Sequence, residues 1–115
     1  MPPSNALQRP FDAGGRSRLI AVCYALEDPD CHQFVNQLRE PMTASELSDA
    51  TGISLSTTYR KLSRLTDAGL VAETIDICAQ GHHSSQYRVA FERIEISRDD
   101  GGEVEVSITP PDGET

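Results

Sequence analysis

Apolar residues recur at helical spacing through the first half of the chain and at strand spacing through the second. Leu19, Val22, Cys23 and Leu26 fall at i, i+3, i+4 and i+7, which predicts a helix with one apolar face, stopped by Asp28 and Pro29. Asp30 is the expected cap of a second helix, with Cys31, Phe34, Val35 and Leu38 facing inward and Pro41 ending it. Thr43 and Glu46 have the Thr-x-x-Glu spacing of a capping box and predict a short third helix with Leu47 and Ala50 turned inward. Gly52 suits a left-handed turn. Ser54 is the expected cap of a fourth helix, over residues 54–68, with Thr58, Leu62 and Leu65 on its inner side and Gly69 just past its end.

After Gly69 the period changes to two. Val71, Glu73 and Ile75 read as a strand, Gln80, Gly81, His82, His83 and Ser84 as a turn, and Gln86, Tyr87, Arg88 and Val89 as the strand returning. Ile94 and Ile96, the turn Asp99-Asp-Gly-Gly102, and Val104, Val106 and Ile108 predict a second hairpin. Residues 1–15, with three prolines and two glycines, read as a disordered arm, and residues 110–115 as a tail. The expected division is therefore a winged helix-turn-helix over residues 16–91 and a β-hairpin extension over 92–109. The fold class is α+β.

The segment from Ser45 to Leu62 carries the function. A helix-turn-helix needs a small apolar contact on its first helix, a glycine in the turn and an apolar residue just after it. It also needs an inward residue one turn into the second helix. Leu47, Ala50, Gly52, Ile53, Thr58 and Leu62 can fill those places. Ser54, Ser56, Thr57, Tyr59, Arg60, Lys61 and Arg64 are then expected to face DNA. Hydroxyls near a helix N-terminus suit bases and phosphates. An arginine such as Arg60 can grip guanine O6 and N7 together, and Lys61 and Arg64 are placed for the backbone. On the wing, His82, His83 and Arg88 are the candidates for contact with flanking DNA.

The composition tests this reading. Net charge is −8, against the usual sign for a nucleic-acid partner. The acids are unevenly spread, however: none lies between residues 50 and 66, nor between 77 and 91. Nine arginines, one lysine and eighteen acids resemble the surface bias of haloarchaeal proteins. In molar salt, charge is screened within roughly 3 Å, so a negative total does not prevent local phosphate contact. No apolar run approaches the ~20 residues of a membrane span, which predicts a cytoplasmic protein without a membrane partner.

From Thr43 to Glu73, and most of all in Ala68-Gly-Leu-Val71 and the wing Gly81-His-His-Ser-Ser-Gln-Tyr-Arg88, the sequence resembles ArsR-like winged-helix regulators of the short haloarchaeal type. The likeness covers about residues 19–96. It implies DNA binding in transcription; a homodimer on double-stranded DNA is expected because one recognition helix covers only a short site and two copies meet half-sites one helical turn apart (~34 Å). Metal-sensing members place paired cysteines on the helix before the turn; here Ser45, Glu46, Leu47 and Ser48 stand there, so that sensor is missing. Many members dimerise through a helix after the wing, where this chain has strands.

The remaining candidates are weaker. Three cysteines without CxxC spacing make no disulfide framework. Cys78, His82 and His83 could hold zinc or copper but lack a fourth ligand, and Cys23 and Cys31 read as small hydrophobes on helix faces. No nucleophile with a matched base, phosphate loop or carboxylate pair is present, so neither catalysis nor a cofactor is expected. The leading expectation is a sequence-specific regulator, repressing by occlusion, with first helix and second hairpin forming the dimer. Its rivals are a winged-helix module for protein contact in the archaeal transcription machinery, and a metal- or redox-responsive repressor. An exposed apolar face on the fourth helix would favour the protein-contact rival, and none is legible.

Overall fold

The computed structural model describes residues 16–77 and 83–111. The described residues form four helices and five strands in the order α1 (Arg16–Leu26), α2 (Pro29–Gln37), β1 (Met42–Thr43), α3 (Ala44–Thr51), α4 (Leu55–Asp67), β2 (Val71–Ile77), β3 (His83–Val89), β4 (Arg93–Arg98) and β5 (Val104–Thr109). This is the α+β winged helix-turn-helix expected from the periodicity.

The local signals act where the sequence places them. The Thr43–Glu46 capping box closes at both ends: the Thr43 N–H donates to the Glu46 carboxylate at 2.8 Å, and the Glu46 N–H donates to the Thr43 hydroxyl at 3.1 Å. Gly52 ends α3 at φ +79°, a conformation that is costly for a residue bearing Cβ. α4 ends in a Schellman turn. The Gly69 N–H donates to the Thr66 carbonyl and the Leu70 N–H to the Leu65 carbonyl, both at 3.0 Å. Gly69 has φ +81°.

Three local expectations are corrected. Asp28, not Asp30, caps α2; its carboxylate accepts the Asp30 N–H at 2.9 Å, and Pro29 starts the helix, where its missing N–H costs nothing. On α1 the buried residues are Val22 and Ala25, while Cys23 is exposed. On α3, Ala44 and Leu47 are buried and Ala50 is exposed.

The core is one cluster. Val22 and Ala25 of α1, Cys31, Phe34 and Leu38 from α2 and its cap, Leu47, Leu62, Leu65, Leu70 and Tyr87 meet there. Burying Phe34 and the fully buried leucines Leu47, Leu62, Leu65 and Leu70 contributes about 1.5–3 kcal/mol each. The wing is antiparallel, running from Val71↔Val89 to Ile77↔His83, so His83 lies in the return strand and not in the turn. β1, too short to be legible in the sequence, pairs Met42 with Tyr87 and Thr43 with Gln86 and gives the sheet order β1-β3-β2. It ties the start of α3 to the wing.

The second hairpin pairs Ile94↔Ile108 and Ile96↔Val106. Ile94, Val106 and Ile108 pack against the core, with β5 lying on α1. Ile96 and Val104, nearer the tip, are exposed. No helix among the described residues is long and apolar enough to cross a membrane.

Candidate nucleic-acid interface

The turn between α3 and α4 is stitched by hydroxyls. The Ser48 side chain donates to the Ile53 carbonyl at 2.5 Å; that of Thr51 donates to the Leu47 carbonyl at 2.8 Å and accepts the Ile53 N–H at 3.2 Å. Thr58, fully buried, donates its hydroxyl to the Ser54 carbonyl at 2.9 Å. Buried polar groups are inexpensive only when bonded in this way, and the bonds fix the angle at which α4 leaves the turn. Ser54 caps α4 by accepting the Thr57 N–H at 3.3 Å.

With Thr58, Leu62 and Leu65 facing the core, the 100° step per residue sets the rest of α4. Ser54, Ser56 and Arg60 are exposed, and Thr57 is half-buried. Tyr59 is 51% exposed. Arg60 makes no ion pair with any described residue, although Lys61 and Arg64 beside it do. Leu55, the first residue of the helix, is 41% exposed beside Ser56. Together Leu55 and Tyr59, four residues apart, give α4 an exposed apolar strip; spacing alone would place Leu55 inward, since it continues the 58/62/65 stripe, and it is exposed because it stands at the very start of the helix. No acid stands on this face before Asp67. Twelve residues at 1.5 Å each put it ~18 Å from Leu55.

Lys61 and Arg64 are not presented outward. Both follow the edge of the buried stripe and turn back to the junction of α1 and α2. The Asp28 carboxylate, with only 6% of its side chain exposed, accepts the Lys61 ammonium and, at 2.6 Å, the Arg64 guanidinium. Lys61 also lies 3.6 Å from the Asp30 carboxylate. The Arg64 guanidinium sits over the Tyr24 ring at 4.3 Å from its centroid, a cation–π contact. The side chains of Lys61 and Arg64 are 13% and 23% exposed. Burial alone would raise the Asp28 carboxyl, but Lys61 and the Asp30 N–H outweigh it and hold it below its ordinary 3.8. The two cations expected at the DNA backbone therefore serve first to join α4 to α1 and α2.

Tyr87 of the return strand belongs to the core cluster. Its hydroxyl donates to the Glu73 carboxylate at 3.5 Å. Burial pushes the Tyr87 phenol up, and nearby Glu73 and Tyr59 push it further. Arg88 is half-buried, opposite Ala72 in the ladder. Cys78 and His82 lie outside the described residues. Among the described residues no His, Cys, Asp or Glu cluster could hold a metal. Cys31 is buried, and desolvation with the Asp28 charge nearby pushes its thiol up to about 11.

Residues 26–74 match the family model of a helix-turn-helix domain. The match runs from the end of α1 to the middle of β2 and so covers the turn and the whole of α4; α1, the return strand and the second hairpin lie beyond it. It supports DNA-binding transcription regulation as the class of function. No curated protein matches the chain.

Proposed function

We propose that the protein is a sequence-specific regulator of transcription that reads the major groove with the N-terminal half of α4. The observation that carries this is the outward strip of Leu55, Ser56, Tyr59 and Arg60, free of carboxylates and set at a fixed angle by the hydroxyl-stitched turn. Ser54, Ser56 and Thr57 supply hydroxyls at the helix N-terminus, where the macrodipole favours phosphate. Arg60 reads guanine, and Leu55 meets thymine methyl groups. The wing, residues 78–88, takes the flanking duplex with His82, His83 and Arg88.

The working species in this proposal is a homodimer, since one recognition helix covers a short site and two copies meet half-sites roughly 34 Å apart. Ile20 on α1 and Ile96 and Val104 on the hairpin, all exposed apolar residues, are the surface offered to the second copy. Repression is the simpler mode, because occluding a promoter requires binding alone.

Selection from a randomised duplex pool, followed by titration of the enriched sequence with wild type and Arg60→Ala, tests the reading. Enrichment of a two-fold symmetric site and loss of base preference in Arg60→Ala are expected. Failure to enrich any sequence would instead favour the second reading, a protein-contact module docking through Leu55 and Tyr59. Light scattering at micromolar concentration is expected to give the dimer mass, and a monomer would remove that part of the proposal.

A further inference from the structure

α4 carries three cations, and the fold treats them differently. Arg60 is exposed. Lys61 and Arg64 share one carboxylate oxygen of Asp28, a residue 33 and 36 positions earlier. Arg64 is held from two sides, by Asp28 and by the Tyr24 ring. It nevertheless lines, with Arg60, Ser63, Ala21, Tyr24 and Asp67, an open groove between α1 and α4. A guanidinium released from Asp28 would lie in that groove beside Arg60, on the side where an arginine meets the phosphate backbone.

Resting on the DNA-binding reading, we infer that Asp28 is a specificity-setting residue: it stands in for phosphate, occupies Arg64 and Lys61, and so limits sequence-independent affinity for DNA. Backbone contacts raise affinity for every duplex alike and carry no sequence information. A recognition helix with three free cations would bind random DNA well; one with Arg60 alone depends on base contacts. The carboxylate is well suited to the role. It is nearly buried, it is held ionised by its partners, and it is fixed in place because it also caps α2.

Asp28→Asn separates the two duties, since asparagine caps a helix as well as aspartate does. Fluorescence anisotropy on a random 20-base-pair duplex, across a salt series and below the melting temperature of each protein, reads the effect. Asp28→Asn is expected to bind that duplex about five- to tenfold more tightly at low salt. Its slope of log affinity against log salt should steepen by about 0.9 for the one phosphate that Arg64 gains, Lys61 staying beside the Asp30 carboxylate. Adding Arg64→Gln should return the slope to the wild-type value. Equal slopes and affinities for Asp28→Asn and wild type would overturn the inference. Should Asp28→Asn fail to fold, Arg64→Gln alone decides: random-duplex affinity unchanged within twofold supports it, and a loss larger than that overturns it by showing that Arg64 already touches DNA. A wild type that binds no duplex would remove the DNA-binding reading and this inference together, whereas a wild type that binds without the Asp28 effect removes only the inference.

Discussion

Replacing Lys61 by Met keeps most of the aliphatic stem that flanks Thr58 and Leu62 and deletes the ammonium. Asp28 then keeps the Arg64 guanidinium and the Asp30 N–H but loses its second cation. Removing one partner of a fully buried pair costs roughly 3–5 kcal/mol. Here Arg64 still compensates the carboxylate, and Lys61 retains 13% exposure, so solvent screens part of the interaction. A single hydrogen bond to a charged group, about 1.5–3 kcal/mol, is the upper range, and about 1–2 kcal/mol is expected. For a domain of this size that lowers the midpoint of a circular-dichroism melt by about 4–16 °C. DNA affinity, measured below both midpoints, should change by less than twofold. Arg60→Ala should give the opposite signature: a melt little changed, and a loss of about 1–3 kcal/mol on the selected site. If Lys61→Met melts with the wild type and weakens DNA binding as Arg60→Ala does, Lys61 faces the duplex and the assigned orientation of α4 is wrong.

Acid should unfold the protein through the same cluster. The Asp28 carboxyl is depressed, so its stabilisation is complete above the unfolded value, about 4, and is lost as pH falls through the lower folded value. Melts between pH 7 and pH 3 should show this loss, and it should be shallower in Lys61→Met. Gly52→Ala, at φ +79° with open space around it, should cost about 1–2 kcal/mol from backbone conformation alone. Gly69→Ala, at φ +81°, should cost a similar amount in urea titrations, because the Arg18 guanidinium 3.2 Å from its Cβ is the end of an exposed, flexible side chain that can yield and Ile108 at 3.6 Å is in ordinary contact. Iodoacetamide at pH 7.5 should label exposed Cys23 and spare Cys31, whose thiol is buried and pushed up to about 11; peptide mapping reads the difference, and equal labelling would contradict the burial of Cys31.

Much of the architecture was legible because its signals are local. The capping box at Thr43 and Glu46, the cap at Ser54 and the glycines at 52 and 69 each act within a few residues. The second hairpin follows from clean alternation, and the first from a period of two that Glu73 interrupts. α1 was misphased for the opposite reason: it is apolar nearly all round, so Cys23 looked as suitable for the core as Ala25. Ala25, Ala44 and Ala68 are all buried, and alanine's small side chain, which permits close approach, gives hydropathy little to read. At the candidate site, Ser54, Ser56, Tyr59 and Arg60 could be placed from the 58/62/65 stripe alone. Lys61 and Arg64 could not. The acid-free window counts neighbours along the chain, and their acid lies more than thirty residues away.

The most direct test of DNA recognition through the start of α4 is a backbone-amide NMR titration of the protein with its selected duplex. The largest shift changes are expected at Ser54 to Arg60 and in the wing, with Cys31 and Phe34 of α2 nearly unmoved. Changes concentrated on α1 and the β4–β5 hairpin, with Ser56, Tyr59 and Arg60 still, would contradict it.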